Sequence, residues 1–486
     1  MWYNINMTIK DAQDFEVVFQ NVYEKAVETL EDLVRIPSVS VGVTRESVEF
    51  ANIEKSAEFV SKLLTECGVV NKIVNAETVD ESSGSSRPGN PAVIGSLGAG
   101  INGELDAKKP TVLLYAHHDV QPALYPENWK TNPFEPTHIQ SSTGPRLFGR
   151  GAADDGAGLV AHLGAIGLYR ALGVELPVNL KIFIEGEEEC GSPSFNNFIK
   201  KYKDELSADV IIVADSSNWA VGVPAITTSL RGVSTIDIAL NVLEHTIHSG
   251  MSSGPIIDAN ALLMCTISSI WDEQGNIVVD GLLGARGNEL PEPTVDYSFE
   301  QFANDSSLLD GVLLAGTGTI SGRIWTKPSV TVIGFDATST ANASNVFAAS
   351  SKARLSLRVA PGQDSTEAAN ALVEHLSKNV PFGAKFSYTI LESGPSFVAD
   401  TTTNGTLALK SALEEAFGKE VVYAGMGGSI PFVADLKETF EGVDVLLIGV
   451  EDPDSRAHSD NESVQLEDLK KIILALGLLF EKLGSK

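Results

Sequence analysis

Potential metal ligands follow short apolar segments of the chain, at the point where each segment ends. TVLLYA (111–116) runs into His-His-Asp (117–119), and NLKIFI (179–184) runs into Glu-Gly-Glu-Glu-Glu (185–189). These ligand types lack cysteine sulfur and form a nitrogen and oxygen set, which suits zinc, manganese or cobalt rather than an iron–sulfur cluster. The spacing therefore indicates a metal site beyond the ends of these segments.

Two further segments end in the same way. ADVIIVA runs into Asp215, and DVLLIGV runs into EDPDSRAHSD, which contains His458. Continuous apolar runs of this length are typical of strands buried on both faces of a parallel sheet. In an open parallel sheet, ligands bind beyond the carboxyl ends of the strands, so we expect the four ends to converge on one crevice.

The chain offers five candidate ligands, which is more than one catalytic zinc ion uses, whereas a pair of ions would use them all. Asp154 lies in the Gly-rich loop GRGAADDGAG and is well placed to bridge two ions roughly 3.5 to 4 Å apart. The candidate ligands are His117, Asp154, Glu189, Asp215 and His458. An aspartate that follows a strand is more often a turn residue than a metal ligand. The assignment of Asp215 therefore depends on the other four candidate ligands.

Helical and strand patterns predict how these residues are positioned. Helices are expected within 14–67, at 158–173 and at 195–206, and the last two connect the parallel strands. Between 230 and 391 the strands alternate apolar and polar residues, which indicates a separate α+β domain. We therefore predict an α/β fold with a mostly parallel sheet over 1–229 and 394–486, and an inserted α+β lid or dimerisation domain over 230–393.

Composition excludes several classes of protein. The chain has 64 acidic and 35 basic residues, and its charge of −29 disfavours nucleic-acid and anionic membrane partners. Apolar runs stop short of the roughly 20 residues that span a bilayer. Three widely spaced cysteines fit no disulfide framework. These features, with no visible secretion signal, predict a cytoplasmic protein.

Eight motifs in order resemble those of one family, the di-zinc metallopeptidases that include carnosinase, cytosolic nonspecific dipeptidase and glutamate carboxypeptidase. The motifs are YAHHDVQP, GRGAADD, EGEEECGSP, VADS, HTIHSG, SLRVAPGQ, GGSIP and AHSDNE. The resemblance covers most of the chain and implies a phosphorylase/hydrolase-like fold. It implies two divalent metal ions, Zn²⁺ first and Mn²⁺ or Co²⁺ as alternatives.

The resemblance also implies roles for residues of the metal site. His117 and Asp215 would bind one metal, Glu189 and His458 the other, and Asp154 would bridge them. Asp119 would hydrogen-bond the His117 ring and fix its tautomer. Glu188 would be the general base that moves a proton from water to the departing amine.

The inserted domain would supply the remaining functional residues. His248 matches a histidine that, in dimeric relatives, reaches the partner's active site and steadies the oxyanion, which implies a homodimer. Arg358 matches an arginine that holds the substrate carboxylate. Gly427, Gly428 and Ser429 match a loop with further polar contacts to that end of the substrate.

These roles predict a dipeptidase acting on small peptides with a free C-terminal carboxylate. An N-acyl amino-acid deacylase or carboxypeptidase with the same mechanism is the alternative, and a non-catalytic peptide-binding member is a third reading. Two departures from the family pattern bear on substrate choice: Gly156 stands where relatives often have lysine, and Met426 where they often have an acidic residue.

Overall fold

The structure, a computed structural model, describes residues 9–79, 86–100, 104–285, 293, 295–428 and 430–485. The chain divides into two compact units. The first comprises 1–227, 399–423 and 435–486, and the second comprises 228–398 and 424–434. This division groups 424–434, which the sequence analysis placed in the catalytic domain, with the inserted segment.

A mostly parallel sheet forms the centre of the first unit. Its strands, in spatial order, are Val70–Val74, Ala92–Leu97, Asn179–Glu185, Thr111–His117, Val210–Val213, Asp444–Leu447 and the start of Ala225–Leu230. The four strands from Asn179–Glu185 to Asp444–Leu447 run parallel to one another. The predicted parallel arrangement of the four apolar segments is confirmed.

The register of the parallel strands brings their carboxyl ends to one edge of the sheet. His117 lies opposite Glu185, and Val213 pairs with both Tyr115 and Leu447. The strand residues between these positions are almost completely buried, which explains why the segments read as unbroken apolar runs. The loops that follow the strands therefore start close together.

Helices pack on this sheet, and smaller sheets flank it. The helices of the first unit are Phe15–Val34, Phe50–Glu66, Gly156–Leu172, Phe195–Lys201, Lys203–Leu206, Asn404–Phe417 and Leu466–Gly484. Pro431–Thr439 crosses the boundary between the units. In one smaller sheet, Gly144–Phe148 pairs with both Thr137–Ser141 and Ser463–Gln465. In the other, Glu77–Val79 pairs with Ser86–Pro88.

The second unit is built on an antiparallel sheet. Its strands, in spatial order, are Ser329–Asp336, Ser350–Val359, Gly232–Asn241 and Lys385–Gly394. Helices Ala259–Ser268 and Ser365–Lys378 share a core with one face of this sheet. Shorter elements are Ser249–Ser252, Phe299–Asp305, Ile320–Trp325, and the strand pair Ile247–His248 and Val346–Phe347.

Local signals predicted the helices within 14–67 and at 158–173, and most long strands. The helix predicted over 195–206 is divided into Phe195–Lys201 and Lys203–Leu206, and Asn404–Phe417 and Leu466–Gly484 were not predicted. The Ser-, Gly-, Pro- and Asn-rich composition of 81–91 predicts a surface loop or turn. This stretch contains the strand Ser86–Pro88, and residues 81–85 lie outside the described residues. The strand Ser329–Asp336 was not predicted, because it is an edge strand with only one buried residue and lacks a clear alternating pattern. No helix of the described residues is long and apolar enough to cross a membrane.

Candidate metal centre

His117 ends its strand with one ring nitrogen held by the backbone and the other facing a carboxylate. Its Nδ1 lies 2.9 Å from the Asp119 carbonyl oxygen, and its Nε2 lies 3.0 Å from Asp154 Oδ1. A neutral ring that donates from Nδ1 presents its Nε2 lone pair to that carboxylate, so two acceptors face each other. A cation between them would satisfy both.

Asp154 stands between two histidines. Its Oδ2 lies 2.9 Å from His458 Nε2, which is also 3.0 Å from Glu189 Oε2. Burial raises the pKa of Asp154, but its hydrogen bonds with His117 and His458 outweigh burial and hold the pKa well below its usual range. One carboxylate oxygen thus faces each histidine, which is the arrangement that a bridging ligand needs.

The ligand atoms form two groups, within each of which all atoms lie within 4.8 Å of one another. One group contains His117, Glu188 and Asp215, and the other contains Asp154, Glu189 and His458. Imidazole nitrogens and carboxylate oxygens at this spacing fit two divalent ions of the zinc and manganese class. The structure therefore brings together all five sequence-predicted ligands, and it places Glu188 among them.

Electrostatics favour cations at this centre. Burial raises the pKa of Asp215 to about 7, and burial together with the charge of Asp215 raises that of Glu188 well above its usual range. Burial alone would lower the pKa of His117, but hydrogen bonds to Asp119 and Asp154 raise it. Divalent ions bound among these groups would stabilise the ionised carboxylates.

Asp119 organises the backbone around the ligands. Its Oδ2 accepts hydrogen bonds from the Ser40 hydroxyl at 2.6 Å and from the Glu189 N–H at 3.1 Å. Its Oδ1 accepts the Glu188 N–H at 3.2 Å and lies 3.5 Å from His117 Nδ1. The carbonyl of Asp119 is thus closer to the His117 ring than its carboxylate, which instead anchors the segment carrying Glu188 and Glu189.

Sequence reasoning missed Glu462, which lies in the motif AHSDNE. This fully buried carboxylate accepts the N–H groups of Ala153 and Asp154 at 2.9 and 3.1 Å through Oε1. Its Oε2 accepts the Gly151 N–H at 3.1 Å and pairs with Arg150 Nη1 at 2.6 Å. Its position four residues after the predicted ligand His458 was the signal in the sequence that pointed to Glu462. Its hydrogen-bond partners lie more than 300 residues away along the chain.

Gln121 is a second residue that sequence reasoning missed. Its side chain donates to Glu189 Oε2 at 2.8 Å, and its backbone N–H donates to Glu189 Oε1 at 3.0 Å. These bonds restrict the orientation of the Glu189 carboxylate. Gly156 is also informative, because a Cβ there would lie 2.3 Å from the Gly151 carbonyl oxygen. The loop in its present form therefore excludes a side chain at the position where relatives often have lysine.

The remaining predicted residues belong to the second unit. His248 is exposed, and its Nδ1 accepts the Gly250 N–H at 3.1 Å. Arg358 lies in Ser350–Val359, opposite Val233. Gly427 and Gly428 lie in the segment 424–434, and Ser429 is outside the described residues.

Known proteins resemble the chain over most of its length. The family model described as peptidase family M20/M25/M40 matches residues 113–482. A cysteinylglycine-S-conjugate dipeptidase of Corynebacterium striatum is 32% identical over 427 residues, which cover 87% of this chain and 88% of that protein. A Cys-Gly metallodipeptidase of Candida albicans is 30% identical over 462 residues, covering 91% of each.

Solved structures share the fold. Human carnosine dipeptidase 1 superposes with a TM-score of 0.76 at 26% identity, covering 97% of this chain and 99% of that chain. A metallo-carboxypeptidase of Sulfolobus solfataricus superposes with a TM-score of 0.74 at 25% identity, covering 94% and 99%. The extent of the family match, which includes every predicted metal ligand, shows that the chain belongs to peptidase family M20/M25/M40.

Proposed function

We propose that this protein is a dinuclear metallopeptidase that hydrolyses dipeptides or small peptides with a free C-terminal carboxylate. The observation that carries the proposal is the pair of ligand groups that meet at Asp154. Three of the similar proteins named above are dipeptidases, which supports the choice of substrate. The proposed ligands are His117, Asp154, Glu189, Asp215 and His458.

Two divalent ions, when bound, would polarise the scissile carbonyl and lower the pKa of the attacking water. Glu188 accepts the proton of that water and delivers it to the departing amine nitrogen. Its backbone N–H is held by Asp119, so the carboxylate is attached to a fixed segment. Zn²⁺ is the proposed ion, with Mn²⁺ or Co²⁺ as alternatives, because oxygen and nitrogen ligands accept all three.

Arg358, Gly427, Gly428 and Ser429 are the proposed residues for the substrate carboxylate. His248 is proposed to act in the active site of a partner subunit, which makes the protein a homodimer. The exposed position of His248 in the second unit is consistent with such a role. A cytoplasmic location remains a prediction from the sequence.

The central test is a metal-reconstituted assay with Zn²⁺, Mn²⁺ and Co²⁺ over dipeptides, tripeptides and N-acetyl amino acids, with bound metal quantified. We expect two ions per chain and hydrolysis of dipeptides that a chelator abolishes. Activity only on acetylated amino acids would replace the proposal by a deacylase. No hydrolysis by protein with two bound ions would support a peptide-binding role.

A mixing experiment tests the dimeric active site. His248→Ala and Glu188→Gln variants are each expected to be inactive, whereas refolded or exchanged mixtures contain mixed dimers with one site that has both groups. In an equal mixture, random pairing would restore about a quarter of the wild-type activity. Sedimentation gives the oligomeric state, and an inactive mixture of confirmed mixed dimers would contradict the role of His248 in the partner.

A further inference from the structure

Glu187 is a buried carboxylate of the first unit that the proposed mechanism does not use. Its residue is 4% exposed. Its Oε1 accepts the Asn90 N–H at 2.7 Å, and its Oε2 accepts the Ser194 N–H at 3.2 Å and the Ser194 hydroxyl. In the part of the chain that the structure describes, no basic side chain forms an ion pair with it. Burying a carboxylate is costly unless hydrogen bonds satisfy it, so these three bonds hold it in place.

The carboxylate joins two segments that pass close together, the turn that starts at Glu187 and a loop through Gly89 and Asn90. A Cβ at Gly89 would lie 2.7 Å from Glu187 Oε1 and 2.7 Å from Ser194 Oγ. A side chain there would therefore displace the carboxylate or the hydroxyl. The Asn90 side chain also donates to the Gly186 carbonyl at 2.8 Å, so the backbone directly before Glu187 is held as well.

The segment held in this way carries two residues of the metal centre. Glu188 belongs to one of the two ligand groups and Glu189 to the other, whereas Glu187 belongs to neither. Neighbouring side chains that reach different groups depend on the orientation of the backbone between them, so a rotation of this segment would displace both. Asp119 holds the N–H groups of both residues, and the Glu187 carboxylate ties the same turn to the neighbouring loop.

We infer that Glu187 is a positioning residue of the metal centre, whose carboxylate orients the segment that carries Glu188 and Glu189. The inference rests on the proposed function, which makes Glu189 a ligand and Glu188 the general base. Displacing a reacting group by about 1 Å can lower a rate about a hundredfold, and groups that orient metal ligands contribute about tenfold to a hundredfold to metal affinity. Loss of the Glu187 hydrogen bonds should therefore weaken both metal binding and turnover.

The test is Glu187→Gln, which keeps the size of the side chain. Glutamine has one acceptor oxygen and places its NH₂ group against the N–H of Asn90 or of Ser194, so part of the network is lost. We expect the affinity of the apo protein for Zn²⁺, measured by competition with a chelator, to fall about tenfold to a hundredfold. With Zn²⁺ saturating, kcat for a dipeptide should fall by a similar factor. KM should stay within about threefold of wild type, because a positioning residue adds no substrate contact.

Asn179→Ala is the matched control, because Asn179 is a buried hydrogen-bonding residue at the opposite end of the strand Asn179–Glu185. Its side chain accepts the Asp106 N–H at 2.8 Å and donates to the Lys109 carbonyl at 3.1 Å. Its loss should lower the midpoint of urea unfolding and leave the Zn²⁺ affinity and kcat unchanged. If Glu187→Gln likewise lowers only the unfolding midpoint, its role is structural and the inference is overturned.

Ser194→Ala is a second variant, which removes a single hydroxyl and decides the question if Glu187→Gln does not fold. We expect the Zn²⁺ affinity and kcat to fall about threefold to tenfold, the range for loss of one hydrogen bond. In the double variant the two effects should combine to less than their product, because both substitutions act on one contact. Wild-type values in Ser194→Ala, or effects that multiply independently in the double variant, would count against the inference.

Metal binding separates this inference from the proposed function, because it is measured without turnover. If wild type binds two ions but hydrolyses no peptide, the proposed function fails, while the Zn²⁺ affinity of Glu187→Gln still decides the inference. If wild type hydrolyses dipeptides and Glu187→Gln matches it in affinity and kcat, the inference fails and the proposed function stands.

Discussion

The carboxylate of Glu462 accepts the backbone N–H of Asp154 at 3.1 Å, although the two residues are 308 positions apart. The same carboxylate binds two other N–H groups of the loop and the side chain of Arg150. The loop that carries the proposed bridging ligand is therefore held by one buried group. Groups that orient a metal ligand in this way contribute strongly to metal affinity.

Glu462→Gln should weaken metal binding. The amide has one acceptor oxygen and places an NH₂ group against backbone N–H donors or Arg150, so part of the network is lost. We expect metal affinity or activity to fall by about tenfold to a hundredfold. Metal titration of the apo protein measures the effect, with Glu467→Gln, an exposed glutamate of the next helix, as control. Unchanged affinity would show that the loop holds its shape without Glu462.

Glu188→Gln should separate catalysis from metal binding. Glutamine cannot accept and return a proton, so we expect kcat to fall by about a hundredfold to ten-thousandfold while both ions remain bound. Metal content and kcat are measured on the same preparation. Because Glu188 lies within ligand distance of His117 and Asp215, loss of one ion in the variant would reassign Glu188 as a ligand.

His162→Gln should change how stability depends on pH. His162 is buried, its Nε2 lies 3.0 Å from the Tyr115 carbonyl, and burial lowers its pKa from 6.5 to about 4. The unfolded chain therefore takes up a proton below pH 6.5 while the folded protein does not. The resulting loss of stability begins below pH 6.5 and is complete below about pH 4.

Wild type should thus lose up to about 3 kcal/mol of unfolding free energy that the variant does not lose, as pH falls through this window. Urea unfolding of both proteins at several pH values measures the difference. A difference between wild type and variant that is independent of pH would mean that His162 does not titrate in this range.

Gly449→Ala should destabilise the first unit. A Cβ at Gly449 would lie 1.3 Å from the Ser216 carbonyl oxygen, a backbone atom that cannot move aside independently. Ser216 directly follows Asp215, and Gly449 precedes the loop that carries His458. We therefore expect the free energy of unfolding to fall by about 2 to 4 kcal/mol and metal binding to weaken.

Gly167→Ala is the matched control for that substitution. Gly167 lies in the helix Gly156–Leu172, and the nearest atom to an added Cβ is Val22 Cγ1 at 3.9 Å. Alanine should therefore stabilise the helix by about 0.5 to 1 kcal/mol. Unfolding midpoints in urea compare the two variants, and equal effects would contradict the steric argument.

Local sequence determined the elements and the chemistry of the proposed centre. Apolar runs marked the parallel strands because both faces of that sheet are buried, and the ligand types followed directly at the strand ends. Family membership was also readable from the motifs, and the match over 113–482 confirmed it. The edge strand Ser329–Asp336 was missed because few of its residues are buried.

Tertiary structure alone decided how the proposed ligands are held. Glu462 binds the Asp154 loop across more than 300 residues, and Gln121 binds the Glu189 carboxylate across 68. Neither contact leaves a periodic pattern in the chain, because a single hydrogen bond between distant segments does not constrain the residues around it. The ligands could be listed from the sequence, whereas the groups that position them became visible only when the segments were packed together.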